Sequence, residues 1–209
     1  MRMKLYLSSY HLGNNPQELV VLVEKNKRAA VIINSRDMWE ESERKVGGIK
    51  RELEDLTILG FKPEIFDLRG YFNKPDKLEK KISKYGLIWV IGGNAFLLRK
   101  AMKMSGFDRW LIKQKGNNKL VYAGYSAGVC VLSPSMKGLE LVDQPYVKVK
   151  GYKNEVIWKG LGIINWSFAP HYKSNHPESE KMNEVVEYYE KNKIPFKALH
   201  DGEAIVIEA

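Results

Sequence analysis

Short apolar runs alternate along the chain with longer segments in which apolar residues recur every three or four positions. The short runs predict β-strands, and the periodic segments predict helices that bury one face. The predicted strands are Lys4–Ser8, Ala29–Ser35, Pro63–Leu68, Leu87–Ile91, Leu120–Tyr125, Ser167–His171, Phe196–Leu199 and Glu203–Glu208. The predicted helices are Pro16–Glu24, Glu41–Leu59, Pro75–Lys84, Ala95–Met104 and Glu178–Asn192.

Several of the predicted strands, such as Leu87–Ile91, are almost wholly apolar, which is typical of parallel strands covered on both faces. With the alternation of strands and helices, this predicts an α/β fold: a mainly parallel sheet flanked by helices, in one domain over residues 1–209. The last two strands are too close for a helix between them, so Asp201–Gly202 predicts a C-terminal hairpin. Folds of this class bind ligands at the carboxyl ends of their strands.

Composition narrows the class of protein further. The 209 residues are 44% hydrophobic and 28% charged, as in an ordinary globular protein, and the net charge is +9. A single cysteine, Cys130, excludes a disulfide framework within the chain and a cysteine-rich zinc site. We see no secretory signal and no apolar run long enough to span a membrane, so we expect a cytoplasmic protein with no membrane partner.

The sharpest chemical motif follows the fifth predicted strand. It reads Gly124-Tyr125-Ser126-Ala127-Gly128, the Gly-x-Ser-x-Gly spacing of a nucleophile elbow, in which a tight strand-to-helix turn exposes the serine. The backbone N–H of Ala127 would then point toward the oxygen of a substrate carbonyl. A serine in an ordinary glycine-containing turn is the alternative, and the position at the end of an apolar strand favours the nucleophile.

A second glycine turn, Gly92-Gly93-Asn94, ends the preceding strand and opens a helix. A glycine at this place can turn its N–H toward a ligand and supply a second oxyanion donor. Asn94 could equally be a plain helix N-cap, and the two interpretations are compatible.

A nucleophilic serine needs a base and a group that orients the base. His171 follows a predicted strand and is our first choice of base, with His176 second. Three acids are open as the orienting group: Asp201, Glu203 and Asp143. No His, Asp or Glu cluster has convincing metal spacing, so we expect no metal and no cofactor.

These segments, with Phe168-Ala169-Pro170-His171 and Asp201-Gly202-Glu203-Ala204, occur in an order that resembles the serine peptidases that include dipeptidase E (alpha-aspartyl dipeptidase) and cyanophycinase. The resemblance implies a fold like that of class I glutamine amidotransferase domains and metal-independent peptide hydrolysis through an acyl-enzyme. It implies Ser126 as nucleophile, His171 as base, and Gly93 and Ala127 as oxyanion donors.

The third catalytic residue varies among the relatives. In cyanophycinase-like members its place corresponds to Asp201, and in dipeptidase E it falls between the serine and the histidine, where this chain has Asp143. We therefore expect Asp201, with Asp143 and Glu203 in reserve. The segment Ser133–Gly162 departs from the dipeptidase pattern, so strict aspartyl specificity does not follow from the resemblance.

We expect a small peptide as substrate, no nucleic acid, and a monomer or homodimer. One alternative is an α/β-hydrolase esterase, but that class runs serine, acid, histidine along the chain. Another is a basic module that binds nucleic acid or another polyanion, for which Lys148, Lys150 and Lys153 beside Tyr146 and Tyr152 offer a modest cluster.

Overall fold

The computed structural model describes residues 3–39 and 43–208, so the start of the predicted helix Glu41–Leu59 lies outside the described residues. The strands are β1 Lys4–Ser8, β2 Arg28–Ile32, β3 Lys62–Ile65, β4 Leu87–Val90, β5 Val121–Tyr125, β6 Ser167–Ala169, β7 Phe196–Ala198 and β8 Ala204–Ile207. The helices are α1 Gln17–Leu22, α2 Glu43–Ile58, α3 Pro75–Ile82, α4 Ala95–Ser105, α5 Phe107–Lys113, α6 Ala127–Cys130 and α7 Ser179–Lys191.

The main sheet has six strands in the order β3-β2-β4-β5-β1-β8. All neighbours in it run parallel except β8, which pairs antiparallel with β1. A second sheet of two parallel strands, β6 and β7, lies beside it. The prediction of a mainly parallel α/β sheet is confirmed.

The apolar composition of the strands follows from burial on both faces of the sheet. Along β4, Ile88 and Val90 point into one core with α4, whereas Leu87 and Trp89 point into the other with α1 and α2. Because successive strand residues point to opposite faces, every position in such a strand must be apolar. Helix α5 was not predicted; Gly106, at φ 81°, ends α4 and lets the chain turn directly into it.

The predicted C-terminal hairpin is wrong. β7 pairs with β6, and β8 crosses to the main sheet, where Leu5 lies opposite Ile207. The physical reason is that β1 presents an unpaired sheet edge, and half-buried Ile205 and Ile207 pack there against the core. The Asp201–Gly202 turn therefore links two sheets.

In the described ranges, 3–39 and 43–208, no helix combines the length and the apolar composition needed to cross a bilayer.

Candidate active site

Ser126 lies between the end of β5 and the start of α6 and has φ 49° and ψ −118°, a backbone conformation that L residues rarely adopt. Gly124 and Gly128 make the turn feasible. A Cβ on Gly124 would lie 2.4 Å from the carbonyl oxygen of Val90, and a Cβ on Gly128 would lie 2.3 Å from it. Both motif glycines are therefore required by one contact with the neighbouring strand.

The second glycine turn, Gly92-Gly93-Asn94, also leaves no room for a side chain at its central glycine. Gly93 has φ 146°, and a Cβ there would lie 2.7 Å from the carbonyl oxygen of Ser35. Asn94 accepts a hydrogen bond from the backbone N–H of Leu97 at 2.8 Å and donates one to the carbonyl oxygen of Gln144 at 3.0 Å. The N-cap interpretation of Asn94 is thus confirmed, and Gly93 stays available at the pocket wall.

His171 and Asp201 lie in contact. His171 is 2% exposed, and its Nδ1 is 2.6 Å from Oδ1 of Asp201. Because a carboxylate only accepts hydrogen bonds, this contact places the ring proton on Nδ1 and leaves the lone pair of Nε2 unprotonated. A neutral imidazole in that tautomer can accept a proton from a hydroxyl.

Ser9, directly after β1, holds this pair in place. Its hydroxyl accepts a hydrogen bond from the backbone N–H of His171 at 2.8 Å and lies 2.9 Å from Oδ1 of Asp201, to which it can donate. The backbone N–H of Asp201 donates to the hydroxyl of Ser174 at 2.8 Å. Three separate loops therefore fix the histidine and its carboxylate.

The pKa of His171 is shifted strongly. Burial, aided by the nearby His176 and His11, lowers it to about 4 and outweighs the opposing charge and hydrogen bond of Asp201. His171 is therefore neutral at pH 7, as a general base must be.

The two other acids considered from the sequence lie elsewhere. Asp143 accepts a hydrogen bond from the backbone N–H of Ala95 at 2.8 Å, at the start of α4. Burial raises its pKa to about 7. Glu203 accepts from the backbone N–H of His200 at 2.7 Å. Of the three acids, Asp201 is the one that the structure places on Nδ1 of His171.

A buried polar network packs against the turn that carries Ser126. The sequence analysis did not predict this network. Glu52, on α2 and 1% exposed, accepts hydrogen bonds from the hydroxyl of Tyr125 at 2.6 Å and from Nε1 of Trp89 at 3.0 Å. Nδ1 of His11 lies 2.7 Å from the same carboxylate. Burial alone would raise the pKa of Glu52, but these partners outweigh it and hold the pKa below its ordinary value.

Arg36 extends the network to the second glycine turn. Its guanidinium donates to the hydroxyl of Tyr125 at 2.8 Å and to the carbonyl oxygen of Gly92 at 3.1 Å. One arginine thus connects the residue before Ser126 with the residue before Gly93. The sequence held one signal for this network: Glu52 lies on the apolar stripe of α2, three residues after buried Ile49.

Ser126, Gly93 and His171 line one open pocket of about 680 Å³. The wall also carries acidic and basic side chains, among them Asp143 and Arg51. The structure therefore brings together the serine, the histidine and one of the two oxyanion candidates predicted from the sequence. Ala127, the other, is the first residue of α6, where a helix leaves backbone N–H groups without intrahelical acceptors.

His176, the second choice of base, lies against the first. The rings of His171 and His176 stack with centroids 3.7 Å apart and planes 6° apart. Nδ1 of His176 accepts a hydrogen bond from the backbone N–H of Glu178 at 3.2 Å. His171, His176 and Glu178 each offer a ligand atom, and these atoms lie within 4.8 Å of one another, a grouping that the sequence spacing did not suggest.

Comparison with known proteins gives relatives of one kind. An uncharacterised peptidase of Listeria monocytogenes serovar 1/2a is 31% identical over 140 residues, 67% of this chain and 63% of that protein. The match thus spans less than two thirds of the relative's length.

Two solved structures share the fold. A protein from Listeria monocytogenes EGD-e, described as a candidate peptidase E, matches with TM-score 0.75 at 23% identity, over 100% of both chains. A peptidase from an acI-B1 Actinobacterium matches with TM-score 0.68 at 16% identity, over 100% of this chain and 84% of the other. This likeness confirms the predicted class I glutamine amidotransferase-like fold.

The model of peptidase family S51 matches residues 42–209, well over half of the chain. This match confirms the resemblance to the dipeptidase E family that the glycine turns, the elbow and the histidine segment indicate in the sequence. This protein belongs to peptidase family S51.

Proposed function

We propose that this protein is a serine peptidase that hydrolyses small peptides through an acyl-enzyme at Ser126. The observation that carries the proposal is the arrangement at one pocket: a serine on a strained elbow, a neutral buried histidine, and a carboxylate on the far nitrogen of that histidine. Membership of family S51 supports the same reaction.

In the acylation step, Nε2 of His171 accepts the hydroxyl proton of Ser126 while Oγ attacks the peptide carbonyl. The N–H groups of Gly93 and Ala127 stabilise the negative charge that develops on the carbonyl oxygen. Asp201 stabilises the imidazolium that forms. His171 then gives its proton to the leaving amine, and the C–N bond breaks.

In the deacylation step, the imidazole accepts a proton from water, and the resulting hydroxide attacks the ester of Ser126. The same donors stabilise the second tetrahedral intermediate. His171 then returns the proton to Oγ of Ser126 as the acid product leaves. No metal ion is needed for this sequence of proton transfers.

The size and charge of the pocket support a small peptide as substrate. Its volume of about 680 Å³ lies in the range of small-molecule sites. Acidic and basic side chains on its wall suit a substrate that carries both a free amino and a free carboxyl group. An esterase of the α/β-hydrolase class would place its acid before the histidine, whereas Asp201 follows His171.

The test is hydrolysis of a panel of dipeptides and short esters. The amino acids released from the dipeptides and the carboxylic acids released from the esters measure the rate. Ser126→Ala should reduce kcat by a factor of about 10⁴ or more. Its far-UV circular dichroism spectrum should match that of the wild type. Ser83→Ala is the matched control, because Ser83 lies at the end of α3 and hydrogen-bonds within its own helix. It should keep full activity.

A fluorophosphonate probe gives an independent readout, since it reacts with activated serines. Mass spectrometry should place the label on Ser126 in the wild type and find none on Ser126→Ala. Labelling of another serine, or activity that survives the substitution, would contradict the proposal. A preference for esters over every dipeptide would favour the esterase alternative.

A further inference from the structure

The loop between β6 and α7 carries a cluster that combines the proposed base with two residues that the proposed reaction does not use. His171, His176 and Glu178 place one ligand atom each within 4.8 Å of the others, at the edge of the active-site pocket. We propose that these three residues bind a borderline divalent transition-metal ion such as Zn²⁺, and that this binding reversibly inhibits the enzyme. The metal site stands on its own geometry, whereas the inhibition rests on the proposed function.

The hydrogen bonds of the two histidines determine which atoms can bind the ion. Nδ1 of His171 contacts Asp201 at 2.6 Å, which leaves Nε2 as its ligand atom. Nδ1 of His176 accepts from the backbone N–H of Glu178 at 3.2 Å, which likewise leaves Nε2. The carboxylate of Glu178 supplies the third ligand.

This ligand set selects the class of metal. Two imidazoles and one carboxylate, with a fourth position left for water, form a common set of protein zinc sites. Mg²⁺ and Ca²⁺ prefer oxygen ligands throughout, so the two nitrogens disfavour them. Asp201 on the far nitrogen of His171 completes the carboxylate–histidine–metal arrangement that fixes the orientation of a ligating ring.

A small movement closes the site. Bond lengths of 2.0–2.1 Å in a tetrahedral centre place ligand atoms about 3.3 Å apart. The donors, which lie within 4.8 Å of one another, must therefore approach by at most about 1.5 Å. His171 is fixed and buried, whereas His176 and Glu178 are partly exposed and precede α7 in a loop. Because the two rings are stacked in parallel, His176 must rotate out of the stack so that both lone pairs point at the ion.

Binding at this site and catalysis exclude each other. Nε2 of His171 is the atom that accepts the proton of Ser126, and a metal ion on that lone pair prevents the transfer. Coordination forms and breaks no covalent bond of the protein, so a chelator that removes the ion restores the base. Availability of the metal would then regulate peptide hydrolysis directly at the catalytic histidine.

Titration with Co²⁺ tests the site without reference to activity. Chelator-treated Ser126→Ala protein should bind one Co²⁺ per chain and develop the visible absorption bands of a tetrahedral centre. His176→Gln and Glu178→Gln, each made in that background, should weaken binding at least about tenfold. His200→Gln is the matched control, since His200 lies beside Tyr172 outside the cluster, and it should bind as before.

Equal Co²⁺ affinity in His176→Gln, Glu178→Gln and His200→Gln would overturn the metal site. Co²⁺ bands of equal intensity in the parent protein and in both cluster variants would overturn it as well, because such binding does not involve the cluster. Loss of the titration signal in the two cluster variants alone supports it.

Addition of Zn²⁺ to active, chelator-treated wild type tests the inhibition. Hydrolysis should stop and should return with excess chelator, and the inhibiting concentration should rise about tenfold or more in Glu178→Gln but not in His200→Gln. Stimulation by Zn²⁺, or equal inhibition of all variants, would overturn the inhibition. If the metal-free wild type hydrolyses nothing, the proposed function fails, and the Co²⁺ titration still decides the metal site.

Discussion

The two halves of the candidate active site are built in different ways. The nucleophile half comprises Ser126 and Gly93 with the buried network of Glu52, Tyr125 and Arg36 beneath them. The base half comprises His171 and Asp201 with Ser9, which come from three loops far apart in the chain.

The nucleophile half belongs to the hydrophobic core, where Tyr125 and Glu52 are almost fully buried between sheet and helix. The base half depends on a few hydrogen bonds between loops, and the side chain of Asp201 is 21% exposed. Damage to the first half should therefore reduce stability as well as rate, whereas damage to the second should reduce rate alone. Four predictions test this contrast, in order of decreasing free-energy effect.

Asp201→Asn should reduce kcat by a factor of about 10³–10⁴. The amide can donate to Nδ1 of His171, which favours the tautomer with its proton on Nε2, and that tautomer cannot accept the serine proton. The melting temperature should stay within a few degrees of the wild type, because the substitution keeps the size of the side chain.

Glu203→Gln is the matched control for Asp201, since Glu203 lies two residues away and bonds to the backbone of His200. It should change kcat less than about threefold. An Asp201→Asn protein that keeps a tenth of the activity would remove Asp201 from the catalytic set.

Gly93→Ala should reduce kcat by a factor of about 10²–10³ and also lower the stability. A Cβ would meet the carbonyl oxygen of Ser35 at 2.7 Å, so the turn must move and carry its N–H away from the pocket. Gly70→Ala is the control, because a Cβ there meets nothing within 4 Å. Steady-state kinetics and thermal melts measure both effects, and unchanged kinetics would exclude Gly93 as a donor.

Glu52→Gln should lower the free energy of unfolding by about 2 kcal/mol. The amide group of glutamine cannot accept from both the Tyr125 hydroxyl and Nε1 of Trp89 as the carboxylate does, so one buried donor loses its partner. Urea denaturation measures the change.

Glu54→Gln, on the same helix, provides the control. The side chain of Glu54 is 57% exposed and pairs with Lys50 at 3.6 Å, so its replacement should cost less than about 0.5 kcal/mol. Equal destabilisation by the two variants would show that the Glu52 network does not support the nucleophile half.

The smallest effect is the pH dependence of kcat/KM, which reports the base in the free enzyme. Because burial lowers the pKa of His171 to about 4, the imidazole stays neutral down to that pH. Activity should therefore remain level from neutral pH to about pH 5 and fall about tenfold per pH unit below 4. Circular dichroism at each pH checks that the protein is folded. An apparent pKa near 6.5 would contradict the burial of the base half.

The sequence predicted the fold well where structure depends on local pattern. All eight predicted strands occur. The clearest are those buried on both faces, such as β4, because such a strand needs an unbroken apolar run. The prediction that β8 pairs with β7 was wrong, because the residue pattern of one strand does not determine which of two sheet edges it will pair with. Helix α5 was not predicted, because a glycine such as Gly106 usually marks the end of a helix and no second helix was expected directly after it.

The same contrast holds at the active site. Ser126 and Gly93 lie in contiguous motifs, whose spacing is visible in the sequence. Asp201 was one of three open choices, because its contact with His171 joins residues 30 positions apart. The contacts of Arg36 with Tyr125 and Gly92, and the approach of His171 to His176 and Glu178, depend on the three-dimensional fold, which the spacing did not reveal.

One carbonyl group has a consequence for sequence variation. The oxygen of Val90 lies 2.4 Å from the position of a Cβ on Gly124 and 2.3 Å from that of a Cβ on Gly128, closer than real Cβ contacts allow. In a saturation library selected for folding alone, these two positions should return glycine and nothing else. Position 126 should drift away from serine, toward glycine, because φ 49° costs a side-chain-bearing residue and spares glycine. Folding thus maintains the frame of the motif, and only selection for chemistry would maintain the residue at its centre.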